Sequence, residues 1–249
     1  MVPRVYAPDA NWSGASIDLP KEEAVHLRRV LRLRDGDAVR VFDGRGREFD
    51  GHVARAGRAG VRVRLSAERP PLAEPRVRLT LAVAVLKGDA MDAVVRDAVM
   101  LGVVAVQPVL TDRSQTTVAA VGRGRRPERW RRVAIASAKQ CGRATVPEIR
   151  TVVDPGAVVV SLGDGELPVP AFLLAEPSAL LAAAPISAVA AGAPAAATVL
   201  TGPEGGWTPM ELDQLSAVAQ AITLGRLTLR AEVAPAVALS SLLTRWNAF

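Results

Sequence analysis

The chain has 249 residues and a mass of 26.2 kDa, enough for one large domain or two ordinary ones, each with its own core. Apolar residues make up 49% and charged residues 22%, which excludes a disordered or fibrous protein, while a net charge of +6 points toward an anionic partner. One cysteine, Cys141, excludes an intramolecular disulfide framework, and His26 and His52 with that thiol form no zinc set, so no metal and a reducing cytoplasm are expected. The first ten residues hold Arg4, Asp9 and two prolines where a secretory signal would be apolar, so no export is expected. Pro185, Gly192 and Pro194 interrupt the uncharged stretch from Pro177 to Pro203, which argues against a membrane span.

In chain order, the spacing predicts a strand at Ser16 to Leu19, a helix at Lys21 to Leu33, and strands at Ala38 to Phe42, Glu48 to Ala54 and Val61 to Ser66. Asp35-Gly36 and Asp43-Gly44 supply tight reversals, so residues 1–70 read as a small antiparallel barrel. Pro70, Pro71 and Pro75 mark a linker over 71–76. From residue 77 to 249 apolar strand-like runs alternate with helical ones, the pattern of an α/β domain with a mainly parallel sheet. Its expected strands are Val77 to Val85, Val103 to Val109, Ala171 to Leu174 and Thr198 to Leu200. Its expected helices are one capped by Asp89 and ended by Gly102, then Pro127 to Gln140, Thr208 to Ala219 and Glu232 to Trp246. Gly44-Arg45-Gly46 and Gly163-Asp164-Gly165 read as hairpin turns.

Positive charge is concentrated between Arg123 and Arg150, where nine basic residues face only Glu128 and Glu148, and on the first helix at Arg28, Arg29, Arg32 and Arg34. Such density suits a phosphate backbone, although solvated helix faces produce the same pattern. A phosphate loop of the GxxxxGK[ST] type is absent, and no GxGxxG follows a strand. Cys141 has no histidine near it in sequence, which argues against a catalytic thiol.

One run stands out: a strand passing directly into Thr201-Gly202-Pro203-Glu204-Gly205-Gly206 ahead of a helix. Three glycines in five residues let backbone groups approach a ligand at the carboxyl end of a strand, where open α/β sheets bind their ligands. A second glycine turn, Leu224-Gly225, precedes Leu229-Arg230-Ala231-Glu232. Two such loops could clasp one small molecule.

These residues resemble the C-terminal signature of the SPOUT RNA methyltransferases, and within them the RsmE type, which methylates uridine N3 in small-subunit ribosomal RNA. His26-x-x-Arg29-Val30-Leu31-Arg32, Phe42-Asp43-Gly44, Lys87-Gly88, Thr111-Asp112-Arg113-Ser114 and Gln140-Cys141-Gly142-Arg143 extend the resemblance over both domains in order. It implies a PUA-like barrel in front and a trefoil-knotted α/β domain behind, a homodimer, S-adenosylmethionine as cofactor and 16S rRNA of the small subunit as partner. It also implies cofactor contacts at Leu174, Glu176, Thr201, Gly202, Pro203, Glu204, Gly205, Gly206, Leu224, Gly225 and Leu229, and RNA contacts at Arg4, Arg28, Arg29, Arg32, Arg113 and Arg143. The chain departs from the family pattern at Lys139, at Val233, and at Arg226-Leu227-Thr228.

Methylation at uridine N3 requires an unpaired base, an acceptor for the imide proton, and a cation for charge spreading onto O2 and O4. Glu232 is the expected acceptor and Arg230 the expected cation. Helix capping by Glu232 and phosphate binding by Arg230 are the alternative roles, and Glu204 is expected to order its loop rather than meet the substrate. Two other functions fit the sequence: a SPOUT enzyme acting on transfer RNA, and an RNA-binding assembly protein without catalysis.

Overall fold

A computed structural model describes residues 2–57, 60–123, 125–176 and 183–249. The chain divides into two compact units, Met1–Ala73 with Ile135–Val146, and Glu74–Ala134 with Pro147–Phe249.

The first unit contains β1 (Arg4–Tyr6), β2 (Ser16–Asp18), α1 (Lys21–Arg29), β3 (Ala38–Phe42), β4 (Glu48–Gly57) and β5 (Gly60–Arg69). They form a five-stranded sheet in the order β1-β3-β4-β5-β2, antiparallel except where β1 runs parallel to β3. Alternation along the strands sends Val39, Val41, Val53, Val61 and Val63 into one core with Ile17 and Leu27. The helix α1 ends at Arg29, short of its expected limit, because Arg32 at φ 53 turns the chain and the Leu33 N–H returns to the Leu27 carbonyl at 3.1 Å. Residues 135–146, which lie beyond the linker in sequence, belong to this unit. Their carbonyls at Ala138 and Arg143 accept from the Arg4 guanidinium at 2.6 and 3.0 Å.

The second unit continues with β6 (Arg78–Ala84), α2 (Ala90–Met100), β7 (Ala105–Val109) and α3 (Val118–Arg123). The helix α4 (Arg126–Cys141) leads to β8 (Glu148–Ile149), α5 (Pro155–Gly163), β9 (Ala171–Leu174) and β10 (Ala184–Pro185). A short 3₁₀ turn, Ile186–Ala188, precedes β11 (Ala196–Thr201), α6 (Pro209–Ser216), β12 (Gln220–Thr223) and α7 (Ala234–Arg245). The seven strands pair in parallel in the order β10-β12-β9-β11-β6-β7-β8. The central strands β6 and β11 are buried almost throughout, their buried positions being apolar apart from the threonines Thr80, Thr198 and Thr201, as suits strands covered on both faces. Leu173, Leu200, Leu162 and Leu215 join one core beneath Trp207.

The sequence reading misses β1, α3, β8, α5 and β10. Three consecutive β-branched valines do not favour a helix at α5, yet Asp154 caps it by accepting from the Ala157 N–H at 2.9 Å, with Pro155 at its first turn. Gly163-Asp164-Gly165 is therefore the end of a helix, with Gly165 at φ 84, rather than a hairpin turn. Asp89 occupies the N-cap position of α2 without a capping bond, its carboxylate accepting from Arg129 at 2.6 Å instead. Residues 177–182 of the uncharged stretch lie outside the described residues. Among the described residues no helix is long and apolar enough to cross a membrane.

Candidate active site

The neighbouring strands β12, β9 and β11 are parallel, so their carboxyl ends open on the same edge of the sheet. The segments following them line one cavity of about 490 Å³, within the range of small-molecule sites. Leu174 and Glu176 come from the end of β9, Thr201 to Trp207 from the end of β11, and Leu224 and Leu227 to Glu232 from the segment after β12.

Each glycine of the central loop is fitted against a specific neighbour. A Cβ on Gly202 would stand 3.0 Å from the Trp207 indole nitrogen, and one on Gly205 would stand 3.3 Å from the Arg113 Cβ. Gly206 is left-handed at φ 67, and a Cβ there would meet the Glu176 carboxylate at 3.3 Å. The Trp207 Nε1–H donates to the Leu174 carbonyl at 3.3 Å, tying the loop to the end of β9. Arg113 Nη1 donates to the carbonyls of Gly205 and Trp207 at 2.8 and 3.2 Å. The Glu204 carboxylate accepts from the Lys87 backbone N–H at 3.0 Å, which is a loop-ordering role.

Sequence reasoning overlooked Glu211, a carboxylate only 4% exposed. One of its oxygens accepts from the Asp112 N–H at 2.9 Å and the other from the Thr208 N–H at 2.7 Å. Thr208 in return accepts from the Glu211 N–H at 3.3 Å, completing a capping box for α6. The signal was present in Thr208-x-x-Glu211 ahead of an apolar helix face. Trp207, Leu212, Thr223 and Leu227 also line the cavity without having been anticipated.

All the residues expected around a cofactor line this cavity except Gly225, whose carbonyl accepts from the Thr223 hydroxyl at 3.0 Å and shapes the turn. The Thr201 hydroxyl is buried and has no hydrogen-bond partner among the described residues, although Thr201 lines the cavity. A buried hydroxyl of this kind calls for a polar ligand atom. Leucines at 174, 212, 224 and 229 supply apolar wall, so the lining suits a ligand with apolar and polar parts.

Glu232 and Arg230 stand together at the cavity, Oε1 to Nη1 3.7 Å, with side-chain exposures of 32% and 84%. Glu232 is not the cap of the last helix, because that position falls on Val233 and the helix begins at Ala234. The Val233 and Ala234 N–H groups both reach the Arg230 carbonyl at 3.0 Å, fixing the turn that presents the pair.

The expected RNA contacts divide sharply. Arg28, Arg29 and Arg32 are exposed on and after α1. Arg4 is not available to RNA: its side chain is 9% exposed, bonded to Glu48 at 2.8 Å, and stacked over Phe42 at 4.6 Å. Arg143 is corrected for the same reason, being 7% exposed. Arg113 is engaged by the glycine loop. Part of the basic run from 123 to 150 is also compensated, with Arg129 paired to Asp89 and Asp92, Lys139 to Glu23, and Arg150 to Glu148, while Arg125, Arg131 and Arg132 are exposed. The side chain of Arg123 lies outside the described residues. The departure at Lys139 thus has a partner on α1.

Comparison with known proteins agrees with this layout. A family model described as an RNA methyltransferase domain matches residues 73–243, and one described as an RNA methyltransferase PUA domain matches residues 19–66. The structure of a methyltransferase from Legionella pneumophila with bound SAM superposes at a TM-score of 0.88, with 27% identity and 98% of each chain covered. A ribosomal RNA small subunit methyltransferase E from Neisseria gonorrhoeae bound to S-adenosyl methionine gives a TM-score of 0.85 at 29% identity, covering 99% of this chain and 98% of that one. Fold and site define an RNA methyltransferase with an N-terminal PUA-like unit. Ribosomal RNA small subunit methyltransferase E of Mycobacterium bovis is 31% identical over 95% of this chain and 90% of its own length. The Synechocystis protein of the same name is 30% identical over 92% of this chain and 73% of its own. The chain belongs to the ribosomal RNA small subunit methyltransferase E family.

Proposed function

We propose that the protein methylates N3 of a specific uridine in 16S rRNA of the small ribosomal subunit, using S-adenosylmethionine and acting as a cytoplasmic homodimer. The observation that carries the reading is the cavity itself, walled by a tightly fitted glycine loop and lined by an adjacent carboxylate and guanidinium. The SAM-bound relatives of the same fold support the choice of cofactor.

In this reading the backbone of residues 202–206 and of the Leu224 to Leu229 segment holds the cofactor, with Leu174 and Glu176 beside the glycine loop and the Thr201 hydroxyl supplying a polar contact. Bound there, the cofactor supplies an electrophilic methyl group on a sulfonium. Glu232 takes the imide proton from N3 of an extruded uridine, and Arg230 faces the oxygen on which negative charge grows. The wide exposure of Arg230 leaves it able to exchange its contact with Glu232 for one with the base. Arg113 and Glu204 keep the loop in place, so positioning supplies most of the acceleration. RNA contacts fall to Arg28, Arg29 and Arg32, and Arg113 is reassigned to the loop.

A trefoil knot is part of the proposal, and the sheet order supports it. The last strand, β12, lies between β9 and β10, two strands formed earlier in the chain.

Calorimetric titration of the purified protein with S-adenosylmethionine tests the cofactor assignment. Saturable one-site binding is expected, weakened about tenfold by Thr201→Val through loss of one buried hydrogen bond. A folded protein that shows no binding overturns it.

A further inference from the structure

The outward face of β2, β5 and β4 holds a cluster that the active site does not use. Alternation buries Val61 and Val63 and turns Arg62 and Arg64 to solvent. On β4, Arg55 is registered opposite Arg62 and His52 opposite Arg64. On the other side, β2 brings Asp18 opposite Arg62 and Ser16 opposite Arg64. All six residues are exposed.

The one carboxylate among these six residues is already taken. Arg62 grips Asp18 through two hydrogen bonds of 2.8 and 2.7 Å. That hydrogen bonding, together with the guanidinium charge, holds the Asp18 carboxyl below its ordinary range, so it is ionised at neutral pH. Among the described residues, Arg55 and Arg64 have no ion-pair partner.

Other arginines of the same sheet are treated differently. Arg40 and Arg69 converge on Asp50 at 3.2 and 3.0 Å, and Arg47 meets Glu68 at 3.1 Å. Arg62, opposite Arg55, has its charge balanced by Asp18, which leaves Arg55 and Arg64 as the positive charges on this face open to an external anion. Residues two apart on a strand stand about 6.8 Å apart, roughly the step between successive phosphates along one RNA strand. The planar guanidinium fork matches phosphate oxygens.

We propose that this face, through Arg55, Arg62 and Arg64, is a second grip on RNA that holds the sugar–phosphate backbone without reading bases. These six positions include no Phe, Tyr or Trp, and the one ring among them, His52, has its Nδ1 3.4 Å from the Ser66 hydroxyl, so the contacts on offer are mainly to the backbone. The inference rests on the reading of ribosomal RNA as substrate and adds a contact that the α1 arginines do not supply.

The test measures filter binding of the full chain to protein-free 16S rRNA across a KCl series. It compares wild type with Arg55→Ser/Arg64→Ser, with Arg55→Lys/Arg64→Lys, and with Arg96→Ser, which removes an exposed arginine elsewhere. Two phosphate contacts contribute about 1.5 to the slope of log affinity against log salt. The serine pair is expected to lower the slope by that amount and affinity at low salt by at least tenfold. The lysine pair should retain most of both, Arg96→Ser should match wild type, and S-adenosylmethionine affinity should be unchanged throughout. An unaltered slope in a serine variant with wild-type thermal unfolding overturns the grip while leaving the methylation reading intact. Weakened binding to assembled subunits with normal binding to bare rRNA also overturns it, since the face would then meet an acidic protein. Absence of salt-dependent rRNA binding by the wild type overturns the substrate reading on which the grip rests.

Discussion

Three glutamates near the cavity share one chemistry and have three different fates. Glu211 is buried and receives two backbone N–H groups, so removing its carboxylate strands both donors. Glu211→Ala should cost about 2 to 3 kcal/mol of stability in urea unfolding. Glu204 orders its loop through a single, exposed hydrogen bond. Among the described residues Glu232 has only the 3.7 Å contact with Arg230, and it lines the cavity. Glu232→Gln should lower kcat by about 100-fold, with S-adenosylmethionine affinity within about twofold of wild type. Near-normal kcat would remove Glu232 from the chemistry. The capping box was readable from Thr208-x-x-Glu211, but the partner of Glu211 at Asp112 lies 99 residues away, and no local pattern reports such a bond. Burial of Arg4 and Arg143 escaped the sequence for the same reason, because an arginine that packs among distant carbonyls looks like one that faces water.

The loop from Thr201 to Trp207 owes its shape to what surrounds it. Gly206 combines a left-handed φ with a close approach to Glu176, so Gly206→Ala meets both backbone strain and a contact that must shift. A cost of about 1 to 2 kcal/mol in thermal unfolding is expected, with cofactor affinity reduced about tenfold. Wild-type affinity in that variant would show that the loop does not hold the ligand. Strongly patterned elements were legible: the limits of β3 and β9 match the spacing of their apolar residues, and three glycines flagged the loop. Short edge strands such as β8 and β10 carry two residues each, too few for any period to emerge. The turn bearing Glu232 was misread as the start of α7, since a carboxylate ahead of an apolar run looks like a cap, whereas the helix begins two residues later.

Net charge alone says little about which surface meets RNA. Three of the nine basic residues between 123 and 150, Arg129, Lys139 and Arg150, are paired to Asp89, Asp92, Glu23 and Glu148, so the raw count overstates the reach of the run. Arg28, Arg29 and Arg32 remain exposed. Replacing all three with serine should lower the salt slope of rRNA binding by about 2 and leave S-adenosylmethionine binding unchanged. An unchanged slope would detach α1 from the RNA. The order of the seven strands, and with it the placing of β12 between β9 and β10, followed from no sequence period, because periodicity fixes which face a residue takes and not which strand lies beside which. The most direct test of the whole account is incubation of the protein with S-adenosylmethionine and small subunits lacking the modification, followed by nucleoside analysis of the rRNA. The account predicts 3-methyluridine at a single site, abolished by omitting the cofactor. A different methylated nucleoside, or none from a protein that binds the cofactor, would contradict it.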